Sequence, residues 1–260
     1  MSRIVVCHCN RPDFLKIQLE SLFRTCDDLD SVTVVNDGSN NFLRQEISKA
    51  CSLYSKVREL SAPHHLDHSS APSACSAVLQ WAYDYIVREK TTGHVAFIDS
   101  DMFPLHKFKV SDFLPRGKSL SALPQTRGEV DYIWNGIFFI DFDSIPAPEV
   151  LNWSCGVVKG ENVDCGGLMH HYFENHGRDH VHYLNHTSHM NREQIYSLEV
   201  CPSKLRDEYD TSYRMEVFEN TFLHYGRASN WETQWLSPQD FNKKKTAYML
   251  EWLKENGVIS

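Results

Sequence analysis

The chain contains no run of about 18 apolar residues, the length a membrane-spanning helix needs, so no transmembrane segment is expected. Residues 1–14 hold one short apolar run and then turn polar, which fits a first strand and not a signal peptide. The eight cysteines form no Cys-x-x-Cys pair. Scattered thiols without an export signal point to a reducing compartment, and a cytoplasmic protein is the expectation. The sequons Asn152-Trp153-Ser154 and Asn185-His186-Thr187 are then read as chance matches. A basic excess is also missing. Lys and Arg number 26 against 34 Asp and Glu, a net charge of −8, which argues against a nucleic-acid partner. There is no Gly-x-x-x-x-Gly-Lys-Ser/Thr loop, no Gly-x-Gly-x-x-Gly fingerprint and no Gly-x-Ser-x-Gly elbow. ATPase, dinucleotide-binding and serine hydrolase readings lose their main support. No internal repeat or low-complexity linker divides the chain.

What is present suits a substantial core: 260 residues, 42% hydrophobic and 12% aromatic. Apolar runs at Arg3–His8, Val32–Val35, Val57–Leu60 and His94–Ile98 read as buried strands. Helical spacing separates them. Pro12 opens a helix with Leu15, Leu19, Leu22 and Phe23 on one face, Phe42 to Leu53 suits a second, and Ala74 to Ile86 makes a third. Strands alternating with helices imply an α/β fold with a mainly parallel, doubly wound sheet, which binds ligands beyond the carboxyl ends of its strands. The second half is less regular. Strands are expected at Ser119–Leu123, Gly136–Ile140 and Phe222–His224, a short helix from Pro146 and Pro148, and a helix over Gly166–Phe173. Phe241, Tyr248, Trp252 and Leu253 mark a C-terminal amphipathic helix. The expectation is a single domain over residues 1–260, with an elaborated C-terminal half.

Polar residues fall at the strand ends. Asp99-Ser100-Asp101 follows the apolar run Val95–Ile98. In extended chain, residues i and i+2 point the same way, so both carboxylates face one side and can share a hard cation. The alternative is a solvated turn or a helix cap. Asn36-Asp37-Gly38-Ser39 follows the second strand; by itself it reads as a tight turn.

Together, IVVCHCNRPDFLKIQLESL, VTVVNDGSNN and HVAFIDSDMFP resemble the GT-A glycosyltransferases, especially glycosyltransferase family 2. The resemblance covers about the first 105 residues well and the rest patchily. It implies a GT-A type nucleotide-diphospho-sugar transferase fold, Mn2+ or Mg2+ as cation, and a nucleotide-diphosphate sugar as donor. A UDP-sugar is expected, with a glycan, lipid-linked sugar or protein hydroxyl as acceptor. Carried over by position, Asp37 contacts the base, uracil or another pyrimidine, with Ser39 beside it. Asp99 contacts ribose or metal-bound water, and Asp101 ligates the metal directly. Cys7, His8 and Arg11 follow the first strand toward the nucleotide. The loop Ala62–Ser70 departs from the family, which often has Asn-Gly and an Arg there.

Trp134-Asn135-Gly136 resembles the acceptor-side strand of these enzymes, where a ring stacks on a sugar and an amide bonds its hydroxyls. An inverting transferase needs a carboxylate base. In Glu161-Asn162-Val163-Asp164-Cys165-Gly166-Gly167 the candidate base is Asp164, with Glu161 as fallback, and Gly166 and Gly167 would let backbone approach a ligand. Asp164 as an N-cap of the next helix is the structural alternative. His224 resembles the late histidine that completes the metal site, and Arg227 and Ser229 follow it toward the diphosphate. Inversion is favoured on resemblance alone. Seven histidines between His170 and His189 raise a zinc alternative, although their spacing is irregular and no Cys pattern supports it. Two further rivals are a sugar nucleotidyltransferase, which lacks its Gly-rich loop here, and a non-catalytic carbohydrate-binding protein. A soluble enzyme with at most peripheral membrane contact is expected.

Overall fold

A computed structural model of the chain describes residues 2–66, 69–188, 190–226 and 239–260. In chain order its elements are β1 (Ser2–His8), α1 (Pro12–Thr25), β2 (Leu29–Asn36), α2 (Asn41–Cys51), β3 (Val57–Ser61), α3 (Ala71–Arg88), β4 (His94–Asp99), β5 (Met102–Pro104), β6 (Leu120–Arg127), β7 (Val130–Asp141), β8 (Gly156–Val158), β9 (Glu161–Val163), α4 (Met169–His176), β10 (Val181–Tyr183), β11 (His186–Thr187), α5 (Arg192–Ser197), α6 (Ser203–Arg206), β12 (Glu216–Phe218), β13 (Phe222–His224) and α7 (Gln239–Glu255). The chain forms two compact units. The first takes Met1–Cys9, Asp28–Asp99 and Lys109–Leu184; the second takes Asn10–Asp27, Ser100–Phe108 and Asn185–Ser260.

The first unit is a seven-stranded sheet in the order β10-β6-β7-β4-β1-β2-β3. Its neighbours run parallel except around β7, which is antiparallel to both β4 and β6. The mainly parallel α/β sheet read from the sequence is therefore present. Ile4, Val5, Val6, Val32, Val34 and Val35 are all buried, as central parallel strands require. Side chains cap the two helices of this unit that follow β2 and β3. Asn40 accepts from the Leu43 N–H at the start of α2, and Ser70 accepts from the Ser73 N–H at the start of α3. Stacked rings fill one side of the sheet, Phe97 on Phe138 at 4.6 Å and Phe138 on Trp153 at 3.6 Å between centroids. Cys7 pairs in register with Val35 on one side and Asp99 on the other. The polar ends of β1, β2 and β4 thus emerge together at one edge of the sheet.

The second unit carries a four-stranded antiparallel sheet, β11-β12-β13-β5, drawn from distant parts of the chain. Its core gathers Phe14 of α1, Phe103 and Leu105 around β5, Leu223 of β13, and Met249, Trp252 and Leu253 of α7. The Trp252 indole N–H donates to the Val200 carbonyl at 2.8 Å, so the buried ring has its polar edge paired. The Gln18 amide donates to the Met102 carbonyl at 2.8 Å and ties α1 to β5.

Several expectations of the second half shift. Pro146 and Pro148 open only one 3-10 turn, Pro148–Val150, because the chain is extended again at Leu151. The helix expected from Gly166 begins at Met169. Gly166 has φ +83°, and a Cβ there would run into the Ile133 carbonyl oxygen, so the glycine serves a turn and cannot continue into the helix.

Candidate functional site

Asp99 ends β4, and after a turn through Ser100 and Asp101 the chain re-enters a strand at β5. β5 then pairs with β13, Met102 opposite His224, and the Tyr225 N–H donates to the Asp101 carbonyl at 2.9 Å. That register fixes the His224 ring beside Asp101, with Nε2 3.2 Å from Oδ1. β12 supplies the third party. Glu216 lies opposite His224 in the ladder, and its Oε2 is 2.9 Å from Nδ1. With a cation bound, an Nδ1–H donated to Glu216 would leave the Nε2 lone pair for the metal. Exposure of the His224 and Asp101 side chains is 12% and 6%, so both donors are held with little freedom.

One ligand atom from each of Asp99, Asp101 and His224 lies within 4.8 Å of the other two. Two carboxylate oxygens and one imidazole nitrogen make a donor set suited to Mn2+ or Mg2+, with positions left for phosphate oxygens. The carboxylate behind the imidazole is the usual support of a metal-binding histidine. The residues fit such an ion. Sequence reasoning missed Glu216, because only the β12–β13 register brings it to His224, and no local pattern announces that pairing.

Asp37 follows β2 and is 6% exposed. Its N–H donates to the His8 carbonyl at 2.8 Å, which fixes the turn against the end of β1. The Arg44 guanidinium lies 4.0 Å from Oδ1. Ser39 is exposed and His8 fully buried. Burial pushes the Cys7 thiol well up from its ordinary value, with smaller contributions from Cys75, Asp99 and Asp37, so this side chain stays neutral. Arg11, in the second unit, stacks 3.5 Å above the Phe14 ring and grips Asp13 with two bonds of 2.9 and 2.6 Å. Arg227 and Ser229 lie outside the described residues.

Toward the expected acceptor side, Asn135 donates to the Cys75 sulfur at 3.4 Å, and the Trp134 ring covers Gly136. Asp164 follows β9 and accepts from the Cys165 N–H at 2.9 Å. It is not the cap of α4, whose N-cap is Leu168. Arg127 sits 3.6 Å from its Oδ2 and donates to the Asn162 carbonyl at 2.8 Å, a partner no sequence pattern indicated. Glu161 opens β9 and is exposed, with its carboxylate against Gly128. Gly166 and Gly167 form the turn beyond Asp164, with their N–H groups on Trp153 and Asp164 carbonyls, both at 2.8 Å.

The histidine-rich segment is engaged elsewhere. His170 is 2.9 Å from the Asp131 carbonyl and 3.2 Å from Glu174, and His180 is 3.1 Å from the Tyr172 hydroxyl. Among the described residues, the grouping able to hold an ion is Asp99, Asp101 and His224. His189 lies outside the described residues. Among those residues, no helix is long and apolar enough to cross a membrane. None of the eight cysteines is joined in a disulfide.

Residues 3–116 match the family described as glycosyl transferase family 2, a stretch that includes Asp37, Asp99 and Asp101. An active-site mutant of LgtC is similar in structure over 54% of this chain and 57% of its own, at 14% identity and a TM-score of 0.38. Galactosyltransferase LgtC with donor and acceptor sugar analogs aligns over 94% of this chain and 95% of its own, at 14% identity and a TM-score of 0.47. The mannosyltransferase PcManGT from Pyrobaculum calidifontis, in complex with GDP-Man and Mn2+, aligns over 54% of this chain and 44% of its own, at 11% identity and a TM-score of 0.40. The chain thus spans little more than half of the first of these proteins. No curated protein matches. With its mixed, mostly parallel sheet and its Asp/Asp/His cluster, the chain has a GT-A fold of the glycosyltransferase type and resembles the family 2 sugar transferases.

Proposed function

We propose that this chain is a metal-dependent glycosyltransferase moving a sugar from a nucleotide-diphosphate sugar, a UDP-sugar in the first instance, to a hydroxyl acceptor. The observation that carries the reading is the convergence of Asp99, Asp101 and His224 within 4.8 Å directly after β4. Asp101 and His224 hold the cation, and Asp99 faces the ribose or a metal-bound water. A divalent cation bound there neutralises the charge that grows on the departing diphosphate. Asp37, at the end of β2, accepts an N–H from the base. Cys7, His8, Arg11, Ser39 and Arg227 complete the donor side. Trp134 and Asn135 receive the acceptor, and the backbone at Gly166 and Gly167 lets it approach.

Asp164 takes the acceptor proton in an inverting reaction, with Glu161 as the alternative base. Its Oδ2 is 3.6 Å from the Arg127 guanidinium, which orients the carboxylate. Residues 1–260 act as one transferase domain. Calorimetry tests the reading. UDP binds with Mn2+ present, and the affinity falls at least about 100-fold in Asp101→Ala or on chelation, since a lost metal bridge removes several kcal/mol. Equal UDP affinity with and without metal would overturn it. Slow hydrolysis in a panel of nucleotide sugars then names the donor.

A further inference from the structure

A cation stands where helix electrostatics disfavour one. Arg44 occupies the first turn of α2, beside the positive end of the helix dipole, where acidic residues are the stabilising choice. Its contacts supply the reason. Nε donates to the Gly38 carbonyl at 2.9 Å, and Nη1 donates to the Ala62 carbonyl at 3.1 Å and the Asn36 carbonyl at 3.4 Å. The guanidinium therefore bridges the turn after β2 and the loop after β3, the two segments flanking Asp37. Nη2 lies 4.0 Å from Asp37 Oδ1, and both side chains are largely covered, 15% and 9% exposed.

The rest of the turn is locked to the same residue. The Asn36 amide donates to the Arg44 carbonyl at 2.9 Å and to Glu59 at 2.6 Å, while its oxygen accepts from the Gly38 N–H at 3.2 Å. Gly38 has no room for a side chain because Arg44 fills it; a Cβ would lie 2.7 Å from the Arg44 nitrogen and 2.9 Å from its Cγ. A planar fork with several donors makes such a three-carbonyl clamp, and a lysine cannot reproduce it.

We infer that Arg44 is a positioning residue for nucleotide recognition: it fixes the Asp37-Gly38 turn and the direction of the Asp37 carboxylate without touching the nucleotide. The inference rests on the donor-side reading of Asp37 given above. Its consequence is that the base-contacting half of the donor site depends on α2, while the cation and diphosphate half does not.

The test uses the full chain with UDP, inorganic pyrophosphate and Mn2+. Arg44→Met weakens UDP binding by about 10–100-fold, the range for a buried charged hydrogen-bonding group, and leaves Mn2+-dependent pyrophosphate binding within about threefold. Arg44→Lys recovers part of the UDP affinity. The double variant Asp37→Ala/Arg44→Met binds UDP no more weakly than Asp37→Ala alone, because Arg44 acts through Asp37. Equal losses for UDP and pyrophosphate would mean a merely structural role and overturn the inference, as would additive losses in the double variant. If Arg44→Met does not fold by circular dichroism, Arg44→Lys carries the same two comparisons. A wild-type chain that binds pyrophosphate with Mn2+ but not UDP overturns this inference and the choice of a UDP-sugar donor, and leaves the cation and diphosphate site standing. A chain that binds neither overturns the parent reading as well.

Discussion

The seven-stranded sheet of the first unit runs β1, β2 and β3 side by side in parallel, with α2 joining β2 to β3, whereas the four-stranded sheet of the second pairs β5 with β13 across more than a hundred residues. Each construction supplies a different kind of group. Strand ends in the first unit present Asp37 and Asp99 at sites set by parallel register. The second unit supplies His224 with Glu216 behind it, a pair that exists only because β12 and β13 are antiparallel neighbours. The Asp37 turn is thus placed by short-range alternation, and the His224–Glu216 pair by long-range pairing.

The sharpest way to separate the two contributions is to change one carboxylate on the acceptor side. Asp164→Asn removes the proposed base but keeps the shape, so turnover with donor and acceptor falls about 10²–10⁴-fold while Mn2+-dependent UDP affinity holds. A parallel loss of UDP affinity would show that Asp164 belongs to the donor site. Trp252→Ala addresses the other region. Its ring is fully buried in the core of the second unit, and the truncation costs about 3–5 kcal/mol. Amide exchange then accelerates first in Met102–Pro104 and Phe222–His224, ahead of β1 and β4. Uniform acceleration across both sheets would mean that the two units open as one.

The same division explains what the residues disclosed. The four parallel strands β1 to β4 and the helices between them follow from β-branched runs, caps and helical spacing, all local signals. The carboxylate pair followed because its strand ended in a polar turn. β5, β11 and β12 are only two or three residues long, too short for a period to register. Glu216 is accordingly invisible until the sheet is built. Arg127 and Arg44 were missed for another reason. Each acts on a carboxylate from a neighbouring element, and a lone arginine in a polar stretch reads as solvated surface. Asp164 as a helix cap failed because Gly166 turns the chain and α4 starts at Met169.

A smaller change probes the support of the metal group. Glu216→Gln keeps a side chain opposite His224 but removes the negative charge 2.9 Å from its Nδ1. Mn2+ affinity should drop about 10–100-fold, the usual cost of losing the group behind a ligating histidine. UDP binding in excess Mn2+ should recover to near the wild-type value, because the ligands themselves remain. Failure of excess metal to restore binding would place Glu216 in direct contact with substrate.

The smallest effect expected is a pH response confined to the first unit. His180 precedes β10, its ring 3.1 Å from the Tyr172 hydroxyl. Its pKa is lowered from 6.5, first by burial and then by His176 and Lys118, with Asp179 opposing. The folded state therefore takes up the proton less readily than the unfolded chain. As pH falls below 6.5, the unfolded chain binds more protons, so stability is lost toward acid and is fully present at neutral pH. His180→Gln removes this dependence. The fall in Tm between pH 7 and pH 5 should then be smaller in the variant by about 1–2 °C, a fraction of a kcal/mol in a chain of this size. An equal fall in both proteins would assign the acid response to groups other than His180. A larger fall in the variant would mean that the protonated ring stabilises the segment before β10.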